Sequence, residues 1–305
     1  MDWLDQNNGR IYPKSGAIVS FPYGKLTNNN YDNKIMSNST LPDQITDLLI
    51  ALIFIGKLLP GDKLPPERQL AEYLGVDRTS LRMALRTLTR MRVVHTLQGS
   101  GIKVLDYRVD GGLDFLANLY QVKELELGGH FLLSGLELFN RAIPSAIKLS
   151  FERSTAGLQG RILALVHQMH RSVQNGVDYK ELARLDVLFV DTILASTNNI
   201  FMQVAGGSSR QIRQALTEKT YQLIDVKKHL DWLVGMMMRI ASGLLNMEDM
   251  MRQYIEYIDE MSKPLKAYLK SLPEEPQLLS SPLHNGRNIM DLDEIMKKGK
   301  TSLAS

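Results

Sequence analysis

Arg78, Arg82, Arg86 and Arg90 recur every four residues, with Thr79 and Ser80 beside the first of them. On an α-helix that spacing puts all four guanidinium groups on one side. Guanidinium and hydroxyl donors in such a row suit acceptor-rich partners, phosphate oxygens and the edge of guanine above all. Taken alone, the row also fits an ordinary solvated helix face. On the other side Leu81, Ala84, Leu85, Leu88 and Met91 fall at three- and four-residue steps, the apolar stripe that a core requires. From Lys57 to Arg108 there are ten Lys or Arg against five Asp or Glu, a net of +5, whereas the whole chain carries +3. The basic charge is therefore concentrated around this helix, which points to a polyanionic partner.

Other chemistry is sparsely supplied. With no cysteine there is no disulfide, thiolate metal site or thiol nucleophile, and a reducing compartment fits. Gly99-Ser100-Gly101 lacks the strand-to-helix elbow of a serine nucleophile, and no phosphate-cradling glycine loop of the Walker type occurs. No catalytic residue is expected. His167 and His170 share a helix face but lack a third ligand nearby, so they read as surface residues, and His229 alone reads no better. Met236, Met237, Met238, Met247, Met250, Met251 and Met261 crowd two helices, either as core filler or as the wall of a pocket for a flexible apolar ligand. Gly206-Gly207-Ser208-Ser209-Arg210 either sets backbone donors and the Arg210 guanidinium around an anion or simply breaks a helix.

The elements that must position these groups follow from local signals. Pro65 and Pro66 fit a first helical turn and Gly75 fits a left-handed cap, which frames one helix from about Pro66 to Leu74. Asp77 caps the arginine helix. Val93, His95 and Leu97 then alternate with Val94 and Thr96, Gly99-Ser100-Gly101 turns the chain, and Ile102 to Val104 returns it as a hairpin wing. Thr40-Leu41-Pro42-Asp43 starts an earlier helix, with Ile45, Leu48, Leu49, Leu52 and Ile55 facing the core. Helix, helix, turn, helix and wing make a winged helix-turn-helix over 40–107.

The 305 residues are 44% hydrophobic, enough for two cores. Residues 1–39, rich in Asn, Gly, Ser and Tyr, read as an irregular arm without a secretory signal. Gly111-Gly112 opens a linker over 108–127 that includes a short helix. Residues 128–273 show helical periodicity throughout and no strand alternation, so they form an all-α bundle of six or seven helices. Within it Asp178 and Glu181 form a capping box for Tyr179 to Ser196, with Leu182, Leu185, Phe189 and Ile193 inward, and Pro144 interrupts another helix. Residues 274–305 read as a tail, and no stretch is apolar enough to span a membrane. The fold expected is mostly α, and the location cytoplasmic.

The segment LPGDKLPPERQLAEYLGVDRTSLRMALRTLTRMRVVHTLQGSGIKV resembles the DNA-binding domain of GntR-family transcription regulators, whose pattern is pGxxLPxERxLAxxLGVxRxxLRxALxxLxxxG followed by a QGxGxxV wing. Arg92 stands where that family has glycine. The resemblance implies operator contacts from Arg68, Arg78, Thr79, Ser80 and Arg82, and a wing tip at Gln98 and Gly99 in the minor groove. The all-α second half resembles the FadR subfamily, through GGLDFLANLYQVKEL, LDVLFVDTILASTNNIF and LKSLPEE. That implies a homodimer on a palindromic operator, released by a small-molecule effector in the bundle, with a long-chain acyl-CoA as the leading candidate and an organic or sugar acid as the alternative. The acyl-CoA alignment places Ser262 to Lys270 near the ligand. Many relatives bind a metal through an Asp, a His four residues on and two later histidines. Here those positions hold Asp186, Val190, Met237 and Glu260, so no metal and no resident cofactor is expected.

Overall fold

The computed structural model describes residues 39–97, 101–153, 157–174, 176–290 and 292. Every element below lies between Leu41 and Leu278. The expected arm, apart from Ser39, falls outside the described residues.

The head of the molecule comprises α1 (Leu41–Phe54), β1 (Lys63–Leu64), α2 (Glu67–Leu74), α3 (Arg78–Arg90), β2 (Val94–Leu97) and β3 (Gly101–Val104). The strands form an antiparallel sheet in the order β1-β3-β2, with Leu64 opposite Ile102 and Val94 opposite Val104. The expected hairpin is present. β1 was not expected, since two residues are too few for an alternation to register. α2 stops because Gly75 takes the left-handed conformation (φ 67°) and the Val76 N–H turns back to the Ala71 carbonyl at 3.0 Å. α3 starts because the Asp77 carboxylate accepts the Ser80 N–H at 2.8 Å. Leu81, Ala84, Leu85, Leu88 and Met91 are all buried in one core with α1. α1 itself is buried at every residue from Leu48 to Phe54, so it is covered all round rather than along one stripe.

A linker with α4 (Leu113–Leu119) and β4 (Leu125–Glu126) leads on, the Tyr107 ring stacked on Phe115 at 4.7 Å. The bundle comprises α5 (Gly129–Arg153), α6 (Leu158–Gln174), α7 (Tyr179–Ser196), α8 (Ile200–Ser208), α9 (Arg210–Leu223), α10 (Val226–Ala241), α11 (Met247–Met261) and α12 (Lys263–Lys270). These are eight helices among the described residues, against six or seven expected. Breaks at Ser209 and at Ser262, where Pro264 enters the first turn of α12, divide what reads as longer helices. α7 runs through the middle, packed on α5, α6, α8 and α9. Asp178 caps it by accepting the Lys180 and Glu181 N–H groups at 3.0 and 3.1 Å. Glu181 does not close the box, because its carboxylate takes Arg184 instead, at 2.7 Å. Pro144 lies buried inside α5.

The segment read as a tail departs most from expectation. β5 (Gln277–Leu278) pairs with β4, Leu278 opposite Leu125. Leu283, Ile289 and Leu292 are buried in the core of the head. The segment follows no helical or strand period, but its buried apolar residues cover part of the head, where a fully apolar helix such as α1 needs cover on every side. Through Met290 this is structure, not tail.

Candidate nucleic-acid interface and bundle cavity

α3 presents Arg78, Arg82, Arg86 and Arg90 to solvent while its leucines are inside. Thirteen residues make a rod roughly 20 Å long, a length that suits a major groove. Arg78, Thr79 and Arg82 are exposed at its N-terminal end. The Ser80 hydroxyl is half-buried and donates to Asp77 at 2.7 Å, so its proton already has an acceptor and its oxygen is left to accept. That hydrogen bond, with the Ser80 N–H, holds the Asp77 carboxyl below the usual carboxylate range. Arg82 Nε donates to Glu67 of α2 at 2.6 Å. The bond draws the Arg82 side chain toward α2 and leaves its two terminal nitrogens free of Glu67. Arg68 meets Glu72, at 3.6 Å, across an exposed turn. Gln98 and Gly99 lie outside the described residues.

The structure adds a feature that single-strand alternation hid. On the outer face of the sheet Lys63 stands opposite Lys103, and Lys103 stands opposite His95, all exposed. Like charges facing each other across strands repel, and an anion laid along them removes the cost. Arg92 departs from the family's glycine and nonetheless takes the glycine-like backbone, at φ 58°.

In the bundle, α5, α7, α9, α10 and α11 surround a cavity of about 120 Å³. Its polar groups include one of the three expected ones. Of Arg210, Ser262 and Lys270, only Ser262 lines it, accepting from Asn140 Nδ2 at 3.3 Å. Arg210 opens α9 and turns to Asp191, Nε to Oδ2 at 2.8 Å. Lys270 is exposed at the end of α12. The glycine-serine run before Arg210 proves to be a helix break: the Ser209 N–H and hydroxyl both return to the Ala205 carbonyl, at 3.1 and 2.9 Å. The guanidinium in the cavity wall is Arg213, one turn further on and only 5% exposed. Its Nη2 donates to Asp191 Oδ1 at 2.6 Å and to the Gly206 carbonyl at 2.8 Å. Its Nε and Nη1 are buried with no hydrogen-bond partner among the described residues.

Asp186 and Tyr221 face each other across the same cavity, hydroxyl to carboxylate. Burial pushes the Asp186 carboxyl up, against the pull of Tyr221 and Arg213, and burial with the neighbouring Asp186 pushes the Tyr221 phenol up as well. His229, read from the sequence as a surface residue, is in fact buried in the wall. Its Nδ1 lies 2.9 Å from the Tyr257 hydroxyl, and burial lowers its pKa to about 4, so it is neutral near pH 7. Nothing in a regular α9 pattern marks Arg213 or Tyr221 as inward, and His229 has no motif.

A metal site of the kind the resemblance implies does not fit this wall. Val190 offers no donor, Met237 and Glu260 are not among the lining residues, and Asp186 is engaged by Tyr221. Among the described residues no three His, Cys, Asp or Glu side chains converge as a metal site would need.

Comparison with known proteins follows the same division. The family described as "Bacterial regulatory proteins, gntR family" matches residues 41–104, the first residue of α1 to the last of β3. HTH-type transcriptional regulator Mce2R of Mycobacterium tuberculosis is 33% identical over 120 residues, 39% of this chain and 49% of its own. The galactonate operon transcriptional repressor of Escherichia coli is 24% identical over 179 residues, 59% and 76% of the two chains. The fatty acid metabolism regulator protein of Shewanella sp. MR-4 is 27% identical over 160 residues, 52% and 63%. The solved structure of Lar from Listeria monocytogenes is 21% identical, covering 76% of this chain and 98% of its own at a TM-score of 0.46. The chain spans about half the length of the first of the curated relatives it matches. Residues 41–104 are a winged helix-turn-helix domain of the GntR family, set before an all-α domain.

Proposed function

We propose that this chain is a transcription regulator that reads duplex DNA through α3 and its wing, under the control of a compact carboxylate held in the bundle. The observation that carries the reading is the solvent-facing row Arg78, Arg82, Arg86 and Arg90 on the helix after the turn of a GntR-family domain. The Lys63, Lys103 and His95 row would add phosphate contacts, which position a protein on DNA without reading sequence. A homodimer on a two-fold operator, in the cytoplasm, is part of the proposal, since a palindrome takes two heads. Sedimentation that gives one chain's mass with the operator bound would remove the dimer. The reading is of a binding protein, with no catalytic role for any residue.

Between the two effector classes, Arg213 favours the smaller. Asp191 already pairs with one nitrogen of this buried guanidinium, but leaving Nε and Nη1 without an acceptor is costly, and a small carboxylate would supply the acceptors. An engineered cavity of about 150 Å³ holds benzene, so about 120 Å³ suits roughly six non-hydrogen atoms. A two- to four-carbon carboxylic acid fits that space, and a long-chain acyl group needs several times as much. The acyl-CoA reading has in its favour the likeness to a fatty acid metabolism regulator and the methionines packed around α10 and α11.

The test has two stages. Purified protein selects duplexes from a random library, and enrichment of a motif with two related halves is expected; recovery of unenriched DNA would defeat the regulator reading. Calorimetry then titrates acetate, lactate, pyruvate, succinate and palmitoyl-CoA separately. Heat with a small acid, and loss of the selected DNA on its addition, is expected; heat with palmitoyl-CoA alone would move the effector to the acyl class.

A further inference from the structure

The chain leaves α12 with its path already fixed. The Gly129 N–H donates to the Pro273 carbonyl at 2.7 Å and the His130 N–H to that of Glu274 at 3.3 Å. Gly128 allows this approach: at φ 78° a side chain is strained, and a β-carbon would stand 2.6 Å from the Glu274 carbonyl oxygen. β5 then pairs with β4, and the Leu279 N–H donates to the Glu124 carbonyl at 2.8 Å. Between the buried anchors Leu283 and Ile289, polar groups reach the head. The His284 N–H donates to Gln44 Oε1 at 3.0 Å. Asn285 Nδ2 donates to the carbonyls of Leu74 and Gly75 at 2.7 and 3.3 Å. Arg287 Nη1 donates to the Glu72 carbonyl at 2.9 Å and also to that of Tyr73.

Glu72 to Gly75 are the last carbonyls of α2 and the turn into α3. A helix end leaves such carbonyls short of donors, and here a segment 211 residues further along the chain supplies them. α12, the helix that leads into this segment, starts at the cavity. Ser262, at the head of α12, lines it, and Leu265 and Leu269 of α12 pack in one cluster with the cavity residues Leu136 and Leu216.

We propose that residues 273–290 are a strap through which the bundle sets the aim of α3, by holding the turn at Gly75 in the geometry that lets α3 enter a groove. Its regulatory consequence rests on the DNA-binding reading, whereas its hold on the turn does not. Hydrogen exchange of the full chain separates the two. In Asn285→Ala/Arg287→Ala, amides from Glu72 to Asp77 should exchange at least tenfold faster while those of α7 stay as in wild type. Affinity for duplexes selected by the wild type should fall tenfold or more. A second protein guards against simple unfolding: Glu126→Cys/Gln277→Cys places the two cysteines of an otherwise cysteine-free chain at paired positions of β4 and β5. Oxidation should slow exchange at residues 72–77 below the wild-type rate, and reduction should restore it. Unchanged exchange at 72–77 in both proteins would overturn the strap, and faster exchange with unaltered DNA affinity would overturn its role in aiming α3. Altered exchange with no selected DNA even for the wild type would leave the strap standing and remove the regulator reading.

Discussion

Replacing Asp47 with asparagine should stabilise the head progressively as pH rises. Asp47 sits half-buried on α1, one residue before its buried stretch, and burial, reinforced by Asp43 and Glu124, pushes its carboxyl from 3.8 up to about 7. In that interval the folded chain holds a proton that the unfolded chain has released. The contribution to stability is therefore full below pH 3.8 and is lost as pH climbs through 7. Each pH unit of the interval is worth about 1.4 kcal/mol, so wild type loses roughly 2 to 3 kcal/mol between about pH 5 and about pH 8. Asparagine does not titrate and escapes this loss. With about 4 to 8 °C per kcal/mol for a domain of the head's size, the gap between the two melting temperatures should widen by roughly 10 to 20 °C over that range and stay level above it. Calorimetric melts of both proteins at each pH unit from about 5 to 9 read this directly. Parallel curves would refute the reasoning, and a gap that narrows with pH would mean that the charged carboxylate is held by a cation.

Arg92→Gly should stabilise the head by about 0.5 to 1 kcal/mol, since a left-handed arginine costs slightly more than the entropy glycine brings, read as a higher urea midpoint at unchanged slope. Asp77→Ala removes the acceptor for the Ser80 N–H and should lower stability by about 1 kcal/mol, with a matching drop in the urea midpoint. Arg213→Met should leave the fold intact, since Asp191 keeps Arg210 at 2.7 Å, and abolish the thermal shift from the small acid that binds wild type. At a hundredfold excess over its dissociation constant that acid stabilises wild type by about 2.7 kcal/mol, and an equal shift in the variant would show that Arg213 does not hold it.

How far the sequence leads depends on the range over which its signals act. The helix-turn-helix was legible because local residues make it: Gly75 ends α2, Asp77 starts α3, and a five-residue apolar stripe fixes which side of α3 faces water. The strap was illegible because its partners are remote. Asn285 looks like a loop residue until Leu74 is brought beside it, and Leu283 and Ile289 have no period. One clue was present: a run as apolar as LLIALIF in α1 needs cover on every side, more than a three-helix head supplies. The cavity was legible only as a bundle that could hold something. Arg210 and Arg213 are both arginines of one helix start, and which of them enters the interior is decided by where Asp191 and Gly206 stand in three dimensions.

Central to the proposed function is contact between the arginines of α3 and base pairs. It is tested most directly by titrating Arg82→Ala and wild type, side by side, against the duplex that wild type selects and against a scrambled duplex of equal length, at several salt concentrations. The prediction is a loss of about 1 to 3 kcal/mol on the selected duplex, a smaller loss on the scrambled one, and unchanged circular dichroism. Equal affinity of the two proteins for the selected duplex, or an equal loss on both duplexes, would contradict it.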